Sequence, residues 1–411
     1  MKLIFNKKIL LVSIFLITST LVDIRILPGT FFSISDLLLL PLFIIFLRSE
    51  GEKQNLFSIL YLLLSINSIL VSLLMNRPIY YPTLIASLSM GIIISNIFSK
   101  LISRINPFDL NKITDYIIIT LSFSVILDIF FINLTGSVIN ISGAYGIDCR
   151  SFAGYNIFKS IEIIRPCGFY PEPGNIASTL AIFLSLKIYI TNTYFKHVKF
   201  FDNFIMVCAI ISIALIRSTQ GALYLAIITL FYIYNILYKM NLIKMIYLLK
   251  LPNPKKYISF KFFITLFISS YAVYRVIPRI LRNIYKFNVN LDYNIFQSID
   301  LTRAEAFKTI FDNNVVHILF GHGFNKPEIL VESLSQFISL YYYLGIGSFI
   351  LILLLFLPTI RNSLYLFLFI FTLFMSKYGI TSIPFWIGIN YSIFEVKKLK
   401  GSNLLKQHLN Y

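Results

Sequence analysis

The sequence predicts an all-α polytopic membrane protein with about twelve transmembrane helices and two long external loops. Three observations predict it. Hydrophobic residues make up 57% of the 411 and charged residues only 13%, with a mean hydropathy of +0.79. Apolar runs of about 17–25 residues, the length that crosses a bilayer, recur along the chain. Polar chemistry gathers in two stretches, 135–174 and 278–333. In lipid the backbone must satisfy its own hydrogen bonds, so runs of this length read as helices.

The spans run roughly over 9–22, 31–47, 56–75, 79–98, 116–134, 175–195, 203–216, 219–238, 260–277, 334–357, 363–376 and 384–394. Residues 9–22 follow basic residues but lack a small-x-small cleavage pattern, so they read as a retained first helix. Pro41, Pro82 and Pro384 lie in or at the ends of spans and should kink or start helices. The last two spans also fit a single broken hairpin. Residues 239–259, which include Leu-Ile-Lys-Met-Ile-Tyr-Leu-Leu-Lys, form a basic amphipathic connector expected on the membrane surface. No internal repeat divides the chain, so 1–411 reads as one integral membrane domain.

Charge sets the expected topology. With both termini cytoplasmic, basic residues favour the inner side, as the positive-inside rule requires. The inner set is mostly lysine and the outer set mostly arginine. Outer arginines run against the rule, so something other than topology holds them there. A guanidinium grips phosphate or carboxylate through two parallel hydrogen bonds; headgroup contact or pairing with carboxylates is the plainer explanation. The net charge of +18 does not point to nucleic acid, because the basic residues are scattered over short loops.

The candidate residues lie mainly in and beside the two loops. Arg165-Pro-Cys-Gly-Phe-Tyr-Pro-Glu172-Pro-Gly174-Asn175 is stiffened by three prolines and runs into a helix expected to be capped by Asn175. A helix start attracts anions such as diphosphate. Arg165 is a candidate binding residue and Glu172 a candidate base. Arg217-Ser-Thr-Gln220-Gly221 forms a tight turn between two apolar runs, where a buried Arg217 is expected. Arg275, Arg279 and Arg282 share one helical face and suit a phosphate grip. Thr302 and Glu305 make a capping box, which leaves Arg303 unexplained at a helix start. That helix should stop at Gly321, just before His322. His322, Glu332 and, less centrally, His317 are the other candidate bases. Each of these positions also has a bland reading as a solvated or structurally paired side chain.

Cys149 and Cys167 share the first loop, where a disulfide is one option and two free thiols the other. No Cys/His zinc spacing, phosphate-binding glycine loop or Asp-x-Asp pair is present, so no metal site and no cofactor is expected.

The chain resembles Wzy-type O-antigen or capsular repeat-unit polymerases and, more broadly, the O-antigen ligase superfamily. Four segments carry the resemblance in order: Arg165 to Asn175, Arg217-Ser-Thr-Gln-Gly-Ala-Leu, Arg303-Ala-Glu-Ala-Phe, and Phe320-Gly-His-Gly-Phe. A helix from Leu334 to Gly345-Ile-Gly347 completes the pattern. The middle segment departs from the family's Ser-Arg-Gly order. The neighbourhood of Glu332 lacks the histidine usual in ligases, which favours a polymerase.

The resemblance implies a GT-C-like glycosyltransferase at the outer face of a bacterial inner membrane. The donor would be a growing chain on undecaprenyl diphosphate. The acceptor would be a hydroxyl of a new undecaprenyl-diphosphate-linked oligosaccharide. Membrane lipid and a chain-length regulator protein are the other partners implied. Two further readings stay open at this point: an O-antigen ligase, and a lipid-linked oligosaccharide flippase or other transporter, although transporters usually show repeats.

Overall fold

The computed structural model describes residues 56–75, 84, 88, 105–139, 152–156, 161–170, 172–195, 198–239, 315–324, 335–376 and 383–409. Among these, ten helices and one small antiparallel hairpin account for the regular structure. The chain divides into two compact units. The first holds the described residues up to Asp109 and from Val315 onward; the second holds Leu110 to Lys239.

In the first unit, α1 (Leu56–Leu74) packs with α6 (Val315–Phe320), α7 (Gln336–Leu344) and α8 (Gly347–Asn362). Two further helices, α9 (Leu364–Met375) and α10 (Ile383–Leu409), complete it. Helix α1 is inside-out by the standards of water. It exposes Leu56, Ile59, Leu63, Ile66, Leu70 and Leu73 and buries Ser58, Tyr61, Ser65, Ser68 and Ser72. In lipid an outward leucine costs nothing, and small inward residues let helices approach closely. Ser68 donates its hydroxyl to the Tyr343 carbonyl at 2.7 Å. A Cβ on Gly347 would lie 2.6 Å from a Leu64 methyl. An aromatic cluster of Phe337, Phe356, Phe371 and Phe374 ties α7, α8 and α9 together.

In the second unit, α2 (Pro107–Thr135) leads to a hairpin of β1 (Phe152–Asn156) and β2 (Ile161–Ile164). Three helices follow: α3 (Pro173–Tyr194), α4 (Phe200–Leu215) and α5 (Thr219–Lys239). The hairpin pairs Phe152 with Ile164 and Asn156 with Ile161, with a register irregularity between Phe152 and Tyr155. Helix α3 is the core. It packs on α4 and α5, which pack on each other, and it is buried along nearly its whole length. Helix α2 is inside-out like α1: it exposes Tyr116, Ile119, Phe123, Ile126 and Phe130 and buries Asn111, Thr114, Asp115, Ser122, Ser124 and Asp128.

The fully buried Lys187 of α3 joins three helices. Its ammonium donates to Asp115 of α2, to Asn111 Oδ1 at 3.2 Å and to Asp202 Oδ1 of α4 at 2.9 Å. Asn111 Nδ2 also donates to Asp202 at 3.0 Å. A lysine can stand in an apolar interior only when its protons all find acceptors, and here they do.

The expected architecture holds at its coarse level. The described chain is nearly all helical, and α1, α2 and α3 are each long and apolar enough to cross a membrane. Together with the inside-out faces, this makes a membrane-embedded protein. Several details differ. The expected span 334–357 is two helices, broken at Gly345, which adopts φ 58°. Helix α10 runs well past the expected end at 394, and α2 begins nine residues before the expected 116. The hairpin adds two strands to a chain read as wholly helical. Expected spans 9–22, 31–47, 260–277 and nearly all of 79–98 lie outside the described residues, as does most of the 239–259 connector.

Candidate functional site

Strand β2 delivers Arg165 to a turn whose backbone is fixed from below. Asp128, 1% exposed in the body of α2, accepts three backbone N–H groups. They come from Ile139 at 3.1 Å, Cys167 at 2.8 Å and Gly168 at 2.6 Å. A carboxylate with this many donors is well satisfied in a low-dielectric interior. Gly168 has φ 57°, and a Cβ there would lie 2.4 Å from Ser124 Oγ and 2.6 Å from Ile176 Cδ1. Only glycine lets the turn sit this deep between α2 and α3. Tyr170 N–H closes the turn on the Cys167 carbonyl at 3.1 Å. Pro166, Cys167, Gly168 and Tyr170 are buried, while Arg165 is half-buried. Cys167 is disulfide-bonded and Cys208 is a free thiol. Cys149, the third cysteine, lies outside the described residues.

Helix α3 starts earlier than expected. Glu172, not Asn175, is its N-cap, with extended backbone (φ −129°, ψ 131°) and Pro173 in the first turn. Proline fits there because a first-turn N–H has no helical acceptor anyway. The Glu172 carbonyl accepts Asn175 N–H at 3.0 Å, and its half-buried side chain makes no capping hydrogen bond. Its carboxylate therefore stands at a helix N-terminus, where the dipole favours negative charge.

The turn between α4 and α5 is bonded to this helix start. Gln220 Nε2 donates to Tyr224 Oη at 2.9 Å, Tyr224 Oη donates to Ser178 Oγ at 3.2 Å, and Ser178 Oγ donates to the Gly174 carbonyl at 2.8 Å. Ser218 Oγ accepts the Gly221 N–H at 2.8 Å and caps α5. Arg217 has φ 53°, the left-handed region that non-glycine residues rarely adopt. Its side chain is exposed, which corrects the expectation of a buried arginine.

In the first unit, Gly321 ends α6 as expected, its N–H reaching the His317 carbonyl at 2.9 Å with φ 79°. His322 N–H donates to the Tyr342 carbonyl at 2.6 Å, and Ile346 N–H to the Ile318 carbonyl at 2.8 Å. The two backbones touch: a Cβ on Gly345 would lie 2.5 Å from the Gly321 nitrogen. Gly321 and Gly345 therefore serve a close backbone crossing, while a Cβ on Gly323 would run into Ser72 of α1. Both histidines are buried. The His322 ring stacks on Tyr342 at 4.6 Å and packs against His317 at 4.1 Å.

Arg165, Glu172 and Arg217 thus belong to the second unit, and the segments carrying them are joined by hydrogen bonds. His317 and His322 belong to the first unit. Arg275, Arg279, Arg282, Arg303 and Glu332 lie outside the described residues. Asp128, Ser178 and Tyr224 were not expected at the site. For Asp128 a signal existed, since a carboxylate in the middle of an apolar span needs a partner. For Ser178 and Tyr224 there was none. No family model matches the chain, and neither the curated proteins nor the solved structures give a match.

Proposed function

We propose that the chain is a repeat-unit polymerase of the Wzy type, with about twelve spans and a GT-C-like arrangement at the outer face of a bacterial inner membrane. The observation that carries this reading is the hydrogen-bonded junction between the start of α3 and the turn before α5. It links the segments of Arg165, Glu172 and Arg217, two guanidinium bearers and a carboxylate, beside an N-terminal helix end. That set suits a lipid diphosphate leaving group. A hydroxyl of the undecaprenyl-diphosphate-linked repeat unit attacks the anomeric carbon of the growing chain, and undecaprenyl diphosphate departs. The arginines stabilise the charge that develops on it. Glu172 accepts or orients the hydroxyl proton. A chain-length regulator protein is the partner such an enzyme would take.

The test uses cells lacking the gene and complemented with variants. Arg165→Ala and Arg303→Ala are expected to leave single repeat units in place of a ladder of long chains, at unchanged protein abundance. Arg→Lys should restore only part of the ladder, because lysine keeps the charge and loses the bidentate fork. Glu172→Gln compared with His322→Ala sorts the two bases. A normal ladder in Arg165→Ala removes that residue from the site. Loss of transfer to lipid A with normal polymerisation would indicate a ligase, and loss of translocated repeat units a flippase.

A further inference from the structure

One end of the first unit gathers basic side chains that the reaction above does not use. Phe374 of α9 packs on Phe385 of α10 at 5.3 Å, and Phe369 on Tyr391 at 6.2 Å, so these two helices run antiparallel. Continued along the helices, that pairing brings Ser363 about level with Lys397. Ser363 is the single residue between α8 and α9. Arg361, in the last turn of α8, therefore stands at the level of Lys397, Lys398 and Lys400 of α10. All four side chains are exposed. From Gly347 to Leu409 the only acidic residue is Glu395, and it is buried. Among the described residues no ion pair engages Arg361, Lys397 or Lys400.

The dipole of α8 suits Arg361 at its C-terminal end. It does not explain the lysines, which stand well before the end of α10 at Leu409, beyond the reach of that helix's dipole. A second feature meets the cations. Helix α8 turns Ile350, Leu353, Leu357 and Ile360 outward, at spacings of three and four residues that make one stripe, and the stripe leads to Arg361. A ligand that matches both features carries an acyl chain and an anionic head. The guanidinium takes a phosphodiester through two parallel hydrogen bonds, and the lysines add charge around it. Free phosphate would leave the stripe unused. A zwitterionic lipid would bring its own cation up to four others. Basic clusters beside a membrane helix draw anionic lipid for this reason.

We propose that this end of the first unit binds an anionic phospholipid, its headgroup on Arg361, Lys397, Lys398 and Lys400 and an acyl chain along α8, a site that stands apart from the polymerase reading. Full-length protein in detergent is titrated with phosphatidylglycerol, phosphatidylcholine or glycerol phosphate, and its thermal unfolding is followed. Phosphatidylglycerol should stabilise wild type at lower concentration than phosphatidylcholine, and glycerol phosphate should have little effect. A variant carrying Arg361→Gln, Lys397→Gln, Lys398→Gln and Lys400→Gln should lose that preference, with the phosphatidylglycerol concentration it needs rising about tenfold or more. Lys112→Gln, an exposed lysine of the second unit, should keep it. An equal response of wild type to the two lipids overturns the proposal and leaves the cations as determinants of topology alone. A preference that survives in the fourfold variant puts the lipid elsewhere and overturns it too. So does a full rise with glycerol phosphate, which would show an anion site with no part for the stripe. Should the fourfold variant not fold, Arg361→Gln and Lys400→Gln made singly must each weaken the preference, and an unchanged preference in either overturns the proposal.

Discussion

Asp128 shows how one side chain positions a candidate site without belonging to it. Three backbone N–H groups converge on its carboxylate, and the two from the turn that follows Arg165 are buried. Asp128→Ala leaves those donors without their acceptor. Hydrogen bonds to charged groups are worth about 1.5–3 kcal/mol each and add imperfectly, so a loss of about 3 kcal/mol is expected. Asp128→Asn should lose less, because one oxygen remains while an NH2 now faces N–H donors. Thermal unfolding in detergent measures the loss. Limited proteolysis should show cleavage near Arg165 rising first, and uniform cleavage along the chain would argue against local anchoring. Asp128 is visible in the sequence as a charge within the expected span 116–134, but its partner is not. The partner lies 39 or 40 positions away, and nothing in local periodicity encodes that contact. Glu172 and Asn175 were exchanged as N-cap for a similar reason. Asparagine has the stronger capping preference, but Pro173 fits the first turn and moves the start upstream.

At the scale of elements, the Lys187 cluster fastens α2, α3 and α4 at one level. One ammonium faces two carboxylates and an amide, all largely buried. Removing one partner from such a pair typically costs about 3–5 kcal/mol, because the remaining charge is stranded. Lys187→Met is expected to fall in that range, read as loss of folded protein on heating in detergent. Lys187→Met combined with Asp115→Leu and Asp202→Asn should recover much of it. A triple variant no better than the single would show that the charges themselves, and not their balance, hold the helices. Element limits were legible where apolar runs end at charged or Gly/Pro positions: α1, α4, α5 and α9 begin within about three residues of expectation. The expected span runs through Gly345, although Gly345-Ile-Gly347 is a helix-stop signal and the family resemblance ends a helix there. What breaks it is the approach of the Gly321 backbone, a contact from another part of the chain.

At the scale of the whole molecule, the distribution of basic residues predicts the orientation, with both termini cytoplasmic. Reporter fusions after Gly143 and after Asn290 should both read as external. A cytoplasmic signal from either would invert part of the map and separate the two loops from each other. The membrane class was legible from composition alone, since water would not tolerate the leucine faces of α1 and the phenylalanine faces of α2.

The bond at Cys167 adds a constraint of a different kind. Its backbone N–H is held by Asp128 and its sulfur is committed to a disulfide, so the turn after Arg165 is fastened once by geometry and once by oxidation state. Disulfides persist where thiols are not kept reduced. Where the turn faces a compartment that keeps thiols reduced, the second fastening is absent and Asp128 alone holds the backbone. Protein made in a reducing extract should therefore keep the bonds to Asp128 and lack the covalent hold on this turn.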